Sequence, residues 1–505
     1  MTRLQKYKEF FIGLYENAHN GYSYDQATDE YREFIKNNSG SLDAIVANTG
    51  LCSTLIIQGE FKKAEKIVTT LELTGNDLVD YFIYNISSLY YGGINDPNID
   101  STKADEFHNK AKNLAEKIIV QDGFEEGIIE AYNLIREIFR TKIKVEKLEL
   151  TNKLVKLFQT NHDLGYFSDN YLVVAGTAYA SIGKFEKAIE IYKHCYECFI
   201  KSEVSLVYLS NLSVTYFVLN ELEQAKSYLT VALQKANQST NYFLKTRIFE
   251  IENLILEHEQ KYDEEEENLL KQLELAKEHQ NNLKTSYKEL NLFQFYINRF
   301  KKTENNEFLK KAKKTKEELQ LLTENSDDVR VKRRNSHAKA MLLSLGSLKQ
   351  KAKAVEIYEE LCEIYPYDAS YKLELIDLYW DDLKYDVDGE SKKQIDQLLT
   401  QLESYANVQQ NASDNRQVSI QILLAKYDFY INQNKEKALD SLYAIQSKAH
   451  SIGQKLNKEK ISKEIRALES DLEWKSTDYS IKERLEKVKF KSYIEGAQLY
   501  LHNNR

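Results

Sequence analysis

Two cysteines, Cys195 and Cys198, stand three residues apart beside His194 in the stretch "ASIGKFEKAIEIYKHCYE" (180–197) and its next residue. On a helix such a pair could share one metal-binding face, and a structural zinc site would complete itself with four ligands. As a redox pair it would need a helix start, where the dipole lowers a thiol pKa. Neither condition is met by the sequence. The pair falls well inside a helical pattern and no second Cys/His cluster lies nearby, so both residues are expected to pack, with no metal and no cofactor. In "KYDVDGES", Asp386, Asp388 and Gly389 match the third, fifth and sixth positions of a calcium loop, but Lys384 and Ile395 occupy its first and twelfth. That segment is expected to be a turn. The basic segments 298–319 and 330–334 could meet phosphates, but Glu304, Glu307, Glu317 and Glu318 interrupt the first. The acidic run Asp263–Glu267 can pair with it across the fold. No glycine-rich phosphate loop, His-Glu-x-x-His or nucleophile elbow occurs, so no enzymatic activity is expected.

The elements that would position these residues follow from composition. With only 2 Pro and 17 Gly in 505 residues, the two strongest helix breakers are scarce. Charged residues at 29% and hydrophobic ones at 42% suit amphipathic helices in water. A chain of this length exceeds a single core and calls for several domains or a repeat array. The net charge of −9 makes nucleic acid an unexpected partner. No stretch approaches the apolar length of a membrane span, and the apolar run Phe10–Tyr15 is too short for a signal-peptide core. The separated cysteines point to a reducing compartment, so a cytoplasmic location is expected.

The opening stretch recurs. "TGLCSTLIIQGEFKKAEKIVTTL" carries Gly59, Phe61 and Ala64; "AGTAYASIGKFEKAIEIYKHCYE" carries Gly176, Gly183, Phe185 and Ala188; "SNLSVTYFVLNELEQAKSYLTVAL" carries Ser213, Asn220, Leu222 and Ala225. Ala188 and Ala225 are 37 residues apart, a spacing that marks arrays of helix pairs. Each position has a physical task. Gly176 and Ser213 are small where a neighbouring helix crosses, while Gly183 and Asn220 tolerate the left-handed turn between helices. Phe185 and Leu222 anchor the second helix, and Ala188 and Ala225 allow close approach. Around Tyr262 the pattern persists with a glutamate in the alanine position.

This pattern resembles the tetratricopeptide repeat family, best over 45–75 and 169–238. The resemblance implies an all-α, right-handed α-solenoid of antiparallel helix pairs, a TPR-like superhelix whose first helices line a concave groove. Two lobes are expected, 1–322 and 336–505, joined by a hinge at 323–335, with the last helices, including 460–476, capping the stack. Register places Asn170, Val173 and Thr177 of one first helix in the groove, with Val207, Ser210, Asn211, Val214 and Phe217 of the next. Tyr216 and Ala225 are expected in the core. Such a groove suits one or more proteins or peptides, an amphipathic helix among them. A non-enzymatic scaffold or adaptor is the expectation. The alternatives are a peptide- or metabolite-sensing regulator, or a ribonucleoprotein-associated factor using 298–334. The same groove residues could also pack against the chain's own terminus.

Overall fold

The computed structural model describes residues 4–469 apart from 22, 59, 94–100, 142, 280–281, 327, 366–367, 383–388, 409–420, 426, 430–431, 433, 452–460, 463 and 467–468. The calcium-like aspartates Asp386 and Asp388 and most of the expected cap at 460–476 therefore lie outside the described residues. The described residues are helical, with no strand among them.

The chain forms two compact units, 1–252 and 253–505. Unit 1 contains α1 (Gln5–His19), α2 (Tyr24–Asn37), α3 (Leu42–Ile57), α4 (Phe61–Thr70), α5 (Asp77–Gly93), α6 (Ser101–Ala115), α7 (Gly123–Arg140), α8 (Lys144–Thr160), α9 (Tyr166–Ser181), α10 (Phe185–Cys198), α11 (Ser205–Val218) and α12 (Leu222–Gln238). Helix α13 (Tyr242–His258) contains the boundary. Unit 2 continues with α14 (Tyr262–Glu278), α15 (Asn282–Thr303), α16 (Asn306–Glu324), α17 (Val329–Ser344), α18 (Leu348–Ile364), α19 (Ala369–Asp382), α20 (Glu390–Val408) and α21 (Lys435–Ser451). Neighbouring helices pack as antiparallel pairs, among them α3 with α4, α5 with α6, α9 with α10, α11 with α12, and α15 with α16. This is an all-helical solenoid, in which each pair buries its apolar face against the next.

The hairpin turns share one hydrogen-bond motif. Gly183 adopts φ +81°, and Asn220 and Gln260 take the same left-handed form at +59° each. In each case the following N–H reaches back five residues: Lys184 to the Tyr179 carbonyl at 2.8 Å, Glu221 to Tyr216 at 2.9 Å, and Lys261 to Leu256 at 2.9 Å. Glu60 reaches Leu55 at 2.8 Å in the same way. This satisfies carbonyls left open by the end of the first helix.

Close approach within the pairs is equally regular. Ala64, Ala188 and Ala225 are fully buried. Twelve residues before each stands a small side chain. Ser213 Oγ donates to the Ala225 carbonyl at 2.9 Å, and Cys52 Sγ donates to the Ala64 carbonyl at 3.6 Å. At Gly176 an added Cβ would sit 2.5 Å from the Tyr192 ring, so only glycine fits without moving that ring. Cys52 thus holds a packing position, and burial pushes its thiol up to about 12.

Residues 323–335, expected as a hinge, comprise the end of α16, a short connection and the start of α17. Asp328 caps α17 through the Arg330 N–H at 2.9 Å, and Val331 is fully buried. Arg334 donates to the Leu283 carbonyl and to Ser286 Oγ, both at 2.9 Å, which ties α17 to α15. The charge reversal in this stretch is a capped helix start inside unit 2.

Candidate interaction surface and the N-terminal helix

Helix α1 does not simply begin the stack; it lies across unit 1. Its apolar side, with Leu4, Tyr7, Phe11 and Leu14 all buried, joins the core made by α3, α5, α7 and α9. The Phe11 ring stands 5.9 Å from Phe167 of α9 and 6.4 Å from Phe124 of α7, and Tyr7 stands 6.4 Å from Phe82 of α5. Tyr15 meets Phe167 edge-on at 5.9 Å. Aromatic edge-to-face pairs of this kind add a modest directional term to apolar burial.

Polar contacts fix the register of α1. Its own N-cap, Leu4, offers no side-chain acceptor. Buried Asp43 of α3 takes that role, accepting from the Tyr7 N–H at 3.2 Å. Lys8 Nζ reaches Asp122 at 2.9 Å, and that hydrogen bond is the main reason the Asp122 carboxyl is held below its ordinary pKa. Beyond α1 the chain stays attached to the later repeats. The Tyr24 N–H donates to Glu203 at 3.3 Å, and Thr240 Oγ1 donates to Asp25 at 2.8 Å. Unit 1 therefore closes on itself through its N-terminal segment.

The residues expected in the groove divide into two groups. On α11 the partly accessible positions are Val207, Asn211, Val214 and Val218, one stripe at helical spacing. Ser210 is fully buried and Phe217 is only 6% exposed, so both are corrected from open groove to core. A first helix in an array has its own partner and a first helix on each side, which leaves a stripe narrower than a free amphipathic face. Tyr216 and Ala225 are in the core as expected.

The remaining candidates are engaged by the chain. Asn170 accepts from the Tyr208 hydroxyl at 3.2 Å, and Asn211 accepts from Arg247 Nη2 at 2.5 Å. Val173 and Val207 pack on the cluster of Cys195, Phe199 and Tyr208, which Ala18 of α1 also touches. Thr177 is exposed, donating to the Val173 carbonyl at 2.9 Å.

Arg247 was not among the expected residues. Burial lowers its pKa, against the opposing pull of Tyr192 and Glu250. Arg136 of α7 plays the same part earlier, donating to Asn85 of α5 at 2.6 Å. Asn211 and Arg247 stand on successive first helices, α11 and α13, 36 residues apart, close to the 37-residue spacing of Ala188 and Ala225.

The cysteine pair separates. Cys195 is fully buried, and its Sγ donates to the Asp169 carbonyl at 3.4 Å. Cys198 turns outward, 3.6 Å from His194 Nε2, which lies 3.3 Å from Asp169 Oδ1. Burial first, then the Asp169 and Glu197 charges, push the Cys198 thiol up to about 11. That is opposite to an activated redox thiol.

In unit 2 several cations of the basic segment are engaged within the chain. Lys311 reaches Glu266 at 2.5 Å and Lys310 reaches Glu307 at 2.8 Å. The Arg299 guanidinium lies 3.8 Å from the Tyr262 ring centre. Among the described residues, no helix is long and apolar enough to cross a membrane.

The tetratricopeptide repeat family model matches residues 170–197, the α9–α10 hairpin. The chain has a TPR-like helix-pair repeat architecture. No curated protein matches this repeat chain by sequence. Its fold is similar to that of solved repeat structures. One is a Rap protein complexed with competence and sporulation factor, at 12% identity and TM-score 0.42, covering 72% of this chain and 99% of that one. Another is a human IFIT1 dimer with m7Gppp-AAAA, at 11% identity and TM-score 0.40, covering 89% and 95%. A third is a signal transduction ATPase with numerous domains and a tetratricopeptide repeat sensor from Pyrococcus horikoshii. It matches at 13% identity and TM-score 0.34, covering 94% and 75%. The IFIT1 structure corrects one expectation. A net charge of −9 does not exclude nucleic acid as a partner, since a TPR-like array is solved with m7Gppp-AAAA. Net charge averages over all surfaces and does not govern a local one.

Proposed function

We propose that this chain is a non-enzymatic protein-interaction solenoid, and that the surface of unit 1 covered by α1 is where a partner's amphipathic helix docks. The observation that carries this reading is the seating of α1 itself. An amphipathic helix with aromatic anchors lies across α3, α5, α7 and α9, with Asp43 receiving its N-terminal N–H and Asp122 its lysine. A partner helix of similar pattern would meet the same apolar floor and the same two carboxylates. Val173, Thr177, Val207, Asn211 and Val214 continue this surface along α9 and α11 in the proposal. Ser210 and Phe217 support it from below.

Such a surface makes α1 a competitor for the partner, so the apparent affinity is reduced by the fraction of chains in which α1 is seated. The test is a pull-down from the source cell at physiological salt, using the intact chain and a chain lacking residues 1–22. The expected result is recovery of a protein partner, enriched on the shortened chain. Recovery of no protein by either chain, with turnover of a metabolite by the intact one, would contradict the proposal.

A further inference from the structure

We propose that Asp169, His194 and Cys198 form a three-ligand site for a divalent transition-metal ion of the zinc class, with a fourth position left to solvent. This inference is independent of the function proposed above. It rests on how the α9–α10 hairpin is built. Asp169 lies in the first turn of α9, Cys198 ends α10, and His194 stands one turn before it. Antiparallel pairing brings those two helix ends together. His194 and Cys198 are four apart, so they share one helix face.

The three ligand atoms lie within 4.8 Å of one another. The edge from His194 Nε2 to Asp169 Oδ1 is 3.3 Å, and that from Cys198 Sγ to His194 Nε2 is 3.6 Å. Zinc bonds of ~2.0–2.1 Å to nitrogen and oxygen and ~2.3 Å to sulfur give tetrahedral edges of roughly 3.4 Å for N–O and 3.6 Å for N–S. Two of the three edges thus already have the length a tetrahedral ion requires. The third closes by rotation of the Cys198 or Asp169 side chain. One nitrogen, one sulfur and one oxygen donor make a set that suits zinc-class ions over calcium or magnesium.

The surroundings support an ion at this place. The His194 and Asp169 side chains are 52% and 27% exposed, so an ion can enter from solvent. Glu197 adds negative charge beside Cys198. Cys195, which the sequence pairs with Cys198, instead holds the Asp169 backbone through its carbonyl and so positions the carboxylate's helix end. On binding, the Cys198 thiol proton passes to solvent and the sulfur bonds the ion. The competing account is a surface His–Asp ion pair with a neighbouring thiol, which requires no ion.

The test is cobalt(II) titration of the full chain after chelator treatment, followed by zinc competition. The expected result is one ion per chain, a thiolate-to-cobalt charge-transfer band, and loss of that band on zinc addition. Cys198→Ser should abolish the band, and His194→Gln or Asp169→Asn should weaken binding by more than about tenfold. Cys362→Ala, far from the site in sequence, should retain the band. Circular dichroism of each variant establishes that it is folded. Absence of the band in the folded wild-type chain, or its persistence in Cys198→Ser, would overturn the proposal.

Discussion

Helices α12 and α14 use one position of the repeat in opposite ways. In α12 it is Ala225, fully buried, with Ser213 of α11 bonded to its carbonyl at 2.9 Å. In α14 it is Glu265, only 7% exposed. Asn268 and Gln272 of the same helix and Lys288 of α15 are also buried, and Lys288 Nζ reaches Gln272 Oε1 at 2.7 Å. One hairpin gains its stability from close backbone approach. The other buries a carboxylate at that position, on a helix whose Gln272 is bonded by Lys288 of α15. Burial raises the Glu265 pKa from 4.5 to about 8, with Glu257 adding to the rise and Lys302 and Arg299 opposing it. The repeat position is therefore a constraint on burial, which alanine meets without a polar group and glutamate meets with its carboxyl held toward the neutral form.

Transplanting one solution into the other hairpin gives the largest expected effect. Ala225→Glu places a carboxylate in a fully packed contact where the nearby Ser213 hydroxyl is already committed to the Ala225 carbonyl, and should cost at least about 5 kcal/mol from uncompensated charge and overpacking together. Denaturant unfolding of unit 1 measures it. Phe217→Ala should cost about 3–5 kcal/mol, because this residue is core and its removal leaves a cavity; a melting temperature near wild type would return it to the open surface. Glu265 gives an effect of opposite sign. Its folded pKa lies above its ordinary value, so the folded state holds the proton more tightly. Its contribution is therefore fully present below about pH 4.5 and is lost as pH rises through about 8. Glu265→Gln should flatten that slope and stabilise unit 2 at pH 9 by roughly 2–3 kcal/mol. The stability of the two proteins measured across that range checks it. Ser213→Ala, which removes a single hydrogen bond, should cost only about 1 kcal/mol.

Much of this architecture was legible from residue types. Gly183 and Asn220 announce the left-handed turns, and Gly176 and Ser213 the close crossings, because few side chains tolerate those conditions. The surface was less legible. Apolar periodicity distinguishes a buried face from an open one, but it does not say what buries it. Tyr7, Phe11 and Leu14 have the pattern of an ordinary first helix, and only the three-dimensional contacts reveal that they cover α7 and α9. The same limit hid Asp169 from His194 and Cys198, since a carboxylate on the preceding helix completes no recognisable spacing. Phe217 lies one residue inside the partly accessible stripe that runs through Val214 and Val218, and apolar residue type does not separate the two positions.

The seating of α1 on an interaction surface is the central claim, and it can be measured in trans. A fluorescent peptide of residues 4–20 is titrated with the chain lacking residues 1–22 and with the intact chain. The account predicts saturable binding to the shortened chain, much weaker binding to the intact chain, and loss of binding when the peptide carries Phe11→Asp. A shortened chain that is folded by circular dichroism yet does not bind the peptide, or an intact chain that binds it equally well, would contradict the account.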